Sequence, residues 1–400
     1  MKSKAFRYSL FGSLYFVQGA IMGFFTALNA IYLLSFDVTM TQIGIMGMLA
    51  MIPFVLKIFL GMLSDKVNLL GFGYRKPYII IGLLIQALCL LFVGYINPAT
   101  HFWLYALTAF TLMMGMALYD TTTDGLALDT TPKEEEGTVQ GIMVGGRALG
   151  VVGISAVIGI LAENSSWLTA FWFLATVTLI PLLLIFFVFE PEKSSEKTFQ
   201  WKAFSAFKYW PIIALGILGA LYSLIINGAN QIVNPYLQKL FEFGPKQLGL
   251  FTMYWGLGVV VGSLLGGKLV DKLGQKRSVW AAMIISIIAV LLFLVVPNSL
   301  IAVIVLVLFG IAFGYYETVY FAISMDKTDP RIAASMFSIL MAVANIGTGI
   351  GLALSGSLVD SIGYPLTFVV IALLNILALP LIGAIFGRKK ADIDVSQMIS

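Results

Sequence analysis

Mostly apolar stretches of about 20 residues or longer recur along the whole of this 400-residue chain. They lie near 8–35, 41–64, 77–96, 102–126, 137–161, 167–189, 210–238, 246–267, 277–296, 300–325, 332–359 and 362–387, twelve in all. A hydrocarbon core of ~30 Å needs about 20 such residues per helical crossing. Inside lipid a spanning segment must satisfy its own backbone polar groups, and runs of this length do so as helices. The expected fold class is an all-α membrane protein of twelve transmembrane helices. Charged residues make up 11% of the chain, against roughly 25% in a soluble domain, which excludes a water-soluble fold. A single cysteine, Cys89, excludes a disulfide frame, and a single histidine, His101, excludes a multi-histidine metal site. Neither a metal nor a cofactor is expected.

Connections are short except for one polar stretch that begins at Glu190 and carries Glu192, Lys193, Glu196, Lys197, Lys202 and Lys208. It divides the chain into an N-terminal six-helix bundle (1–189), a cytoplasmic linker (190–209) and a C-terminal six-helix bundle with a short cytoplasmic tail (210–400). With both termini cytoplasmic, 20 of the 24 Lys and Arg residues fall on the inner side. Lys239 and Lys246 fall outside, and Lys57 and Arg147 within spans. This bias obeys the positive-inside rule and predicts a multi-pass protein of the cytoplasmic (inner) membrane. The formal charge of +4 then belongs to topology, and nucleic acid is not an expected partner. The first apolar run is too long for a cleaved signal peptide.

The two halves repeat a unit. Gly61-Met-Leu-Ser-Asp65-Lys66, closed by Arg75-Lys76, returns as Gly267-Lys-Leu-Val-Asp271-Lys272-Leu-Gly274-Gln-Lys276-Arg277. Acidic, proline-bearing turns also recur, from Asp129 through Pro132 to Glu134-Glu135-Glu136, and from Asp326 through Asp329-Pro330 to Arg331. An acidic turn beside a basic one can form ion pairs that hold the inner side shut. The expected gating residues are therefore Gly61, Asp65, Arg75, Lys76, Asp129, Glu136, Gly267, Asp271, Lys276 and Arg277, with ordinary solvated loops as the competing reading. Glycines concentrated in spans five, eight and eleven predict close helix packing, either generic or along surfaces that slide. Gly262-Ser-Leu-Leu-Gly-Gly-Lys268 mimics a phosphate loop, but Leu269 stands where Ser or Thr is required.

An ionisable side chain inside a span costs about 2.5–3.5 kcal/mol on insertion scales, which makes each a functional candidate. Five stand out: Lys57, Asp120, Asp124, Arg147 and Glu317. At a rise of ~1.5 Å per residue, Lys57, Asp120, Arg147 and Glu317 all lie roughly 12–15 Å from the inner boundary, near the middle of the core. Asp124 follows one turn below Asp120 on the same face. Asp120 with Arg147 is the economical pairing, and Lys57 can alternatively snorkel. Glu317 first, then Asp120 and Asp124, are the expected proton-coupling residues. Lys57 and Arg147 would attract an anionic group. Tyr15, Gln18, Asn227, Asn230, Gln231, Asn234, Tyr316 and Tyr320 would complete a substrate cavity, although amide bonding between helices and aromatic packing remain open for each. Spans three, six, nine and twelve carry no charge well inside them and are expected to face lipid.

The second turn, from Gly267 to Arg277, resembles the loop motif of the major facilitator superfamily. The longer first loop from Val67 to Phe72, the position of Lys57 eight residues before Asp65, and the pattern Asp120-x3-Asp124-x4-Asp129-x2-Pro132 followed by Arg147 resemble one branch of it. That branch holds the muropeptide permease (AmpG), folate–biopterin and acetyl-CoA transporters. The resemblance implies the major facilitator fold, no enzymatic activity, and a monomer in the lipid bilayer whose partners are protons and a small-molecule substrate. It implies secondary active transport of a small organic, anionic or sugar/peptide-like solute by proton symport and alternating access. Two alternatives stay open: a proton-coupled drug or metabolite efflux antiporter, and a non-transporting membrane assembly factor, since light-harvesting assembly proteins resemble the same branch.

Overall fold

The structure is a computed structural model that describes residues 3–71, 73–190, 201–327 and 333–387. Half of the expected linker (191–200), the second acidic turn from 328 to 332 and the tail from 388 onward lie outside the described residues.

Among the described residues there is no strand, and eleven helices are long and apolar enough to cross a membrane. They are α1 (Lys4–Leu34), α2 (Met40–Lys66), α3 (Lys76–Val93), α4 (Phe102–Thr130), α5 (Lys133–Asn164), α6 (Trp167–Ile185), α7 (Trp210–Phe241), α8 (Pro245–Leu273), α9 (Gln275–Val295), α10 (Ser299–Asp326) and a last stretch, Ser335–Phe386. The last is 52 residues long, about 78 Å at the α-helical rise and far more than one crossing. It breaks at Gly363, whose φ of 78° suits glycine. The parts before and after Gly363 are called α11 and α12. Counted this way, the described residues hold the twelve expected helices.

The chain divides into two compact units. The first comprises Met1–Thr39, Leu49–Thr198 and Asn234–Met253; the second comprises Met40–Met48, Phe199–Val233 and Tyr254–Ser400. Each therefore contains a short segment from the other half of the sequence.

Small residues set the helix packing inside each unit, as expected where lipid removes the hydrophobic drive for association. In the first unit a side chain at Gly19, Gly146 or Gly150 would run into the facing backbone of the α1–α5 pair, and Gly82 with Gly115 does the same for α3 and α4. In the second, Gly258 and Gly262 of α8 meet Gly310 and Ile311 of α10, while Gly347 and Gly351 of α11 meet Ala220 and Leu224 of α7. These glycines close helix pairs within a unit. Gly137, Gly141, Gly145 and Gly153 face open space.

Two local distortions shape the first unit. Pro53 lacks an N–H, and α2 loosens just after it at Leu56, so that Lys57 opens a second segment, Lys57–Lys66. Helices α1 and α5 each widen into a π-turn, Phe24–Leu28 and Gly150–Ile154, at neighbouring levels where Gly23 meets Val151 and Ser155. Such single-turn insertions often mark functional regions of helices.

Large apolar side chains are exposed along α3 (Leu84, Leu88, Phe92), at the end of α6 and just beyond it (Leu183, Phe186, Phe187), and along α9 (Ile284, Ile288) and α12 (Leu366, Leu373, Leu377). Exposed apolar side chains also line α2 (Phe59, Leu63), α4 (Leu104, Leu107) and α8 (Val261, Leu264), so exposure does not single out every third helix. Tyr95, Trp103 and Trp172 are also exposed, in the manner of an interfacial aromatic belt.

Candidate functional site

Four of the five intramembrane charges belong to the first unit, and three of them meet. Lys57 Nζ lies 2.5 Å from Asp120 Oδ2 and 3.5 Å from Asp124 Oδ2. The break after Pro53 places Lys57 at the head of its helical segment, and the one-turn spacing on α4 stacks the two carboxylates beside it. Tyr15 of α1 donates its hydroxyl to Asp124 Oδ1. Burial is unequal: the side chain of Asp120 is 4% exposed and that of Asp124 41%. Asp120 is thus the sealed member of the cluster and Asp124 the accessible one.

The expected Asp120–Arg147 pair does not form, because Asp120 is paired with Lys57. Among the described residues Arg147 makes no ion pair. It is half-buried on α5, and its charge acts on Tyr15. Its backbone packs against Gly19, and the preceding Gln18 is buried with Oε1 lacking a hydrogen-bond partner. The region around the carboxylate cluster therefore combines an unpaired cation with an unsatisfied acceptor.

At one end of the same unit, Arg75 gathers three groups. Its guanidinium lies 2.6 Å from Asp65 and 3.1 Å from Asp129, and it donates to Ser64 Oγ at 2.8 Å. Gly125 on α4 leaves the space that the guanidinium fills. Glu190 accepts hydrogen bonds from the Tyr74 N–H at 2.7 Å, the Arg75 N–H at 2.9 Å and the Lys76 N–H. It caps α3, whose first N–H groups have no partner within the helix. Lys76 Nζ in turn donates to the Phe186 carbonyl at 2.7 Å, just beyond α6. In the following acidic turn Glu135 makes the ion pairs, with Lys4 at 3.1 Å and with Arg7, while Glu136 is exposed and makes none among the described residues. Glu135 replaces Glu136 as the turn's bonding residue, because it points back to α1. Gly61 packs against Thr121.

The second unit uses its polar groups differently. Asp271, Lys276 and Arg277 are exposed and without ion pairs among the described residues, and Gly267 faces open space. Asn227 donates to the Ser223 carbonyl and Thr348 Oγ1; Gln231 donates to the Leu352 carbonyl at 2.9 Å and Ser355 Oγ at 3.3 Å. Asn234, in the segment held by the first unit, donates to the Ala27 carbonyl and Thr252 Oγ1. Amides expected to line a cavity thus tie helices together. Asn230 is half-buried. Tyr316 and Tyr320, each 1% exposed, pack on Tyr222 with ring centroids 5.4 and 4.7 Å away. They are interior packing residues, because the aromatic cluster encloses them. Glu317 is half-buried beside this cluster, and its charge acts on Tyr222.

Sequence reasoning missed Glu190 and Glu135. The signal for Glu190 was present: Gly73-Tyr-Arg-Lys-Pro77 opens a helix with no acidic or hydroxyl capping side chain of its own.

Comparison with known proteins agrees with this architecture. The sequence profile of the Major Facilitator Superfamily matches residues 11–337 and 215–397. The AmpG 1 transporter of Rickettsia conorii is 23% identical over 370 residues, covering 85% of this chain and 88% of that protein. The sialic acid transporter NanX of Escherichia coli is 25% identical over 268 residues, covering 64% of this chain and 62% of NanX. Among solved structures, that of the nucleoside transporter NupG superposes with a TM-score of 0.80 at 15% identity, over 97% of this chain and all of the other, which is a likeness of fold. With profile matches that together span nearly the whole chain, this protein belongs to the Major Facilitator Superfamily of small-solute transporters.

Proposed function

We propose that this chain is a proton symporter for a small organic anion, working by alternating access, with the proton at Asp124 and the anionic group at Arg147. The observation that supports this most is the division of charge in the first unit: Lys57 is shared by two carboxylates while Arg147 has no ionic partner among the described residues. With all groups ionised, Lys57, Asp120 and Asp124 sum to one negative charge, and Arg147 carries one positive charge. A proton on Asp124 neutralises the cluster and leaves Arg147 uncompensated. The anion is then attracted more strongly, and by linkage a bound anion favours the proton. In a poorly hydrated interior such a change of charge is felt more strongly than in water, which makes co-binding the preferred route. This logic moves the coupling role from Glu317 to the more accessible Asp124.

The unsatisfied Gln18 acceptor favours a solute that also offers a hydroxyl or amide N–H, such as a carboxylated sugar or a peptide-linked sugar. The sialic acid and AmpG relatives are consistent with that class. The test is uptake into proteoliposomes under an imposed inward proton gradient, with N-acetylneuraminic acid and an N-acetylmuramyl peptide as probes. Asp124→Asn should abolish gradient-driven accumulation while sparing exchange between equal solute pools. Arg147→Ala should weaken solute affinity at least tenfold. Full accumulation by Asp124→Asn would overturn the coupling assignment, and unchanged affinity in Arg147→Ala the anion assignment.

A further inference from the structure

In each unit a fully buried amide, at a corresponding place, keeps its oxygen without a hydrogen-bond partner. In the first unit this is Gln86 of α3, whose Nε2 is unbonded as well. In the second it is Asn375 of α12. Asn375 Nδ2 donates to the Ala372 carbonyl at 3.1 Å and lies 3.5 Å from Ser286 Oγ on α9. The burial pattern relates the two places. Ile79, Gln86 and Leu90 of α3 recur at the same spacing as Val279, Ser286 and Val290 of α9, and Phe171 and Thr178 of α6 as Phe368 and Asn375 of α12; all are buried. The first unit sets an amide on α3 and a hydroxyl on α6. The second sets the hydroxyl on α9 and the amide on α12.

The register of α3 against α6 is fixed at both ends. A Cβ at Gly94 would meet Leu168 and Phe171, and Lys76 Nζ donates to the Phe186 carbonyl at 2.7 Å. Counting inward from either end brings Gln86 level with Thr178. In the same way Phe293, stacked on Phe368, brings Ser286 level with Asn375. The Thr178 hydroxyl donates its proton to the Leu174 carbonyl at 2.8 Å, so its oxygen can accept a bond but cannot give one to the Gln86 oxygen. The 3.5 Å contact between Asn375 and Ser286 is longer than an ordinary side-chain hydrogen bond. A bare amide is costly here, because Gln86 lies about 15 Å along α3 at the helical rise, near the middle of the hydrocarbon core. The helix also loosens beside each pair. Helix α6 is interrupted after Leu179, where Pro181 contributes, and α12 tightens into a 3-10 turn that begins at Asn375 itself. A water inserted beside a helix ladder produces such loosening.

We propose that each unit binds one internal water molecule, between Gln86 and Thr178 in the first and between Ser286 and Asn375 in the second, which pins α6 to α3 and α12 to α9. The water donates one proton to the amide oxygen and the other to the hydroxyl oxygen, so both units present the same two acceptors from opposite helices. Water suits the place, since it needs only two to four polar partners and fully buried side chains leave no opening for a larger solute. Where lipid removes the hydrophobic drive for association, a bridged polar pair adds a tie beyond packing. Neither pin contains a residue of the carboxylate cluster, and both are measured without transport.

The test is a density map of the full-length chain in lipid nanodiscs, at a resolution that shows waters, together with thermal unfolding of variants. A water peak is expected within hydrogen-bonding distance of Gln86 Oε1 and Thr178 Oγ1, and another of Asn375 Oδ1 and Ser286 Oγ. The unfolding temperature decides by its sign. Gln86→Leu and Asn375→Leu each remove a partner of the water and should lower it by about 3 °C. Thr178→Val should lower it similarly. The double variant Gln86→Leu/Thr178→Val, a dry apolar pair, should lose clearly less than the sum of its single variants. If the amides stand bare, the same leucines relieve a desolvation cost and raise the unfolding temperature. That rise, an unchanged temperature, an additive double variant, or a map without density at either pair would each overturn the water pins. Where a leucine variant fails to fold, the map of the parent chain decides alone.

Discussion

The two Gly-x-x-x-Asp turns share one sequence pattern and differ in what they hold. In the first unit Arg75 binds Asp65, Asp129 and Ser64, and Glu190 caps the next helix. In the second, Asp271, Lys276 and Arg277 stand exposed without ion pairs among the described residues. The contrast extends into the membrane, where the first unit holds Lys57 between Asp120 and Asp124, and the second ties its helices with Asn227 and Gln231 and packs Tyr222, Tyr316 and Tyr320 together. Ion pairs in a poorly hydrated interior respond strongly to a proton or an anion, whereas amide bonds and aromatic packing respond to neither. The repeat therefore preserved the fold in both halves and concentrated the charge chemistry in one.

The largest test of this asymmetry is Lys57→Ala. It strands Asp120, 4% exposed, beside Asp124, and breaking a buried ion pair costs about 3 kcal/mol or more. Thermal unfolding in detergent should show a marked loss, largely restored in the double variant Lys57→Ala/Asp120→Asn, where no uncompensated charge remains. A purely additive double variant would mean that the pair is not coupled. The turns come next. Arg75→Ala should cost about 2 kcal/mol, since charged hydrogen bonds are worth about 1.5–3 kcal/mol each and two of its partners are only partly buried. Arg277→Ala should stay within about 0.5 kcal/mol, as for other surface changes. Equal losses would erase the distinction between the turns. Glu190→Ala removes the cap of α3 and should cost about 1 kcal/mol, with the helix start at Lys76 exchanging its amide protons faster.

How much of this could be read from the sequence depends on the range of the physics involved. Hydropathy is local, so the helices stood out as apolar runs, and the boundary between the runs 332–359 and 362–387 fell beside the Gly363 break. Helical rise is also local, and it put Lys57 and Asp120 at one depth before any contact was known. Depth leaves rotation undetermined. Nothing local says that Lys57, freed by the loosening at Leu56, turns to Asp120 while Arg147 does not. The same holds for Gln231, whose amide suits a solute as well as a carbonyl of the facing helix. Glu190 lay in a polar connection and looked solvated, because the three N–H groups it caps are more than a hundred residues earlier in the chain. The hydrogen bonds of Glu163 with the first turn of α8 and of Asp360 with the first turn of α2 were legible in principle, by aligning the halves beyond the turn motifs, since Gly-x-x-x-acid and Gln-x-Gly recur at matching places.

The smallest expected effect bears on the second unit. Gln231→Leu removes hydrogen bonds to the Leu352 carbonyl and Ser355 Oγ. Gln231 is 9% exposed, so the loss is partly offset by burial of the leucine methyl groups. A net cost of about 1 kcal/mol follows from the usual worth of a buried hydrogen bond. The Leu352 carbonyl is an α11 backbone acceptor and keeps its place in that helix, so no second group is stranded. If α7 and α11 serve as scaffold, solute affinity in the proteoliposome assay should match the parent protein while the unfolding temperature falls slightly. A loss of affinity with unaltered stability would return Gln231 to the substrate site, and with it a share of the recognition chemistry to the second unit.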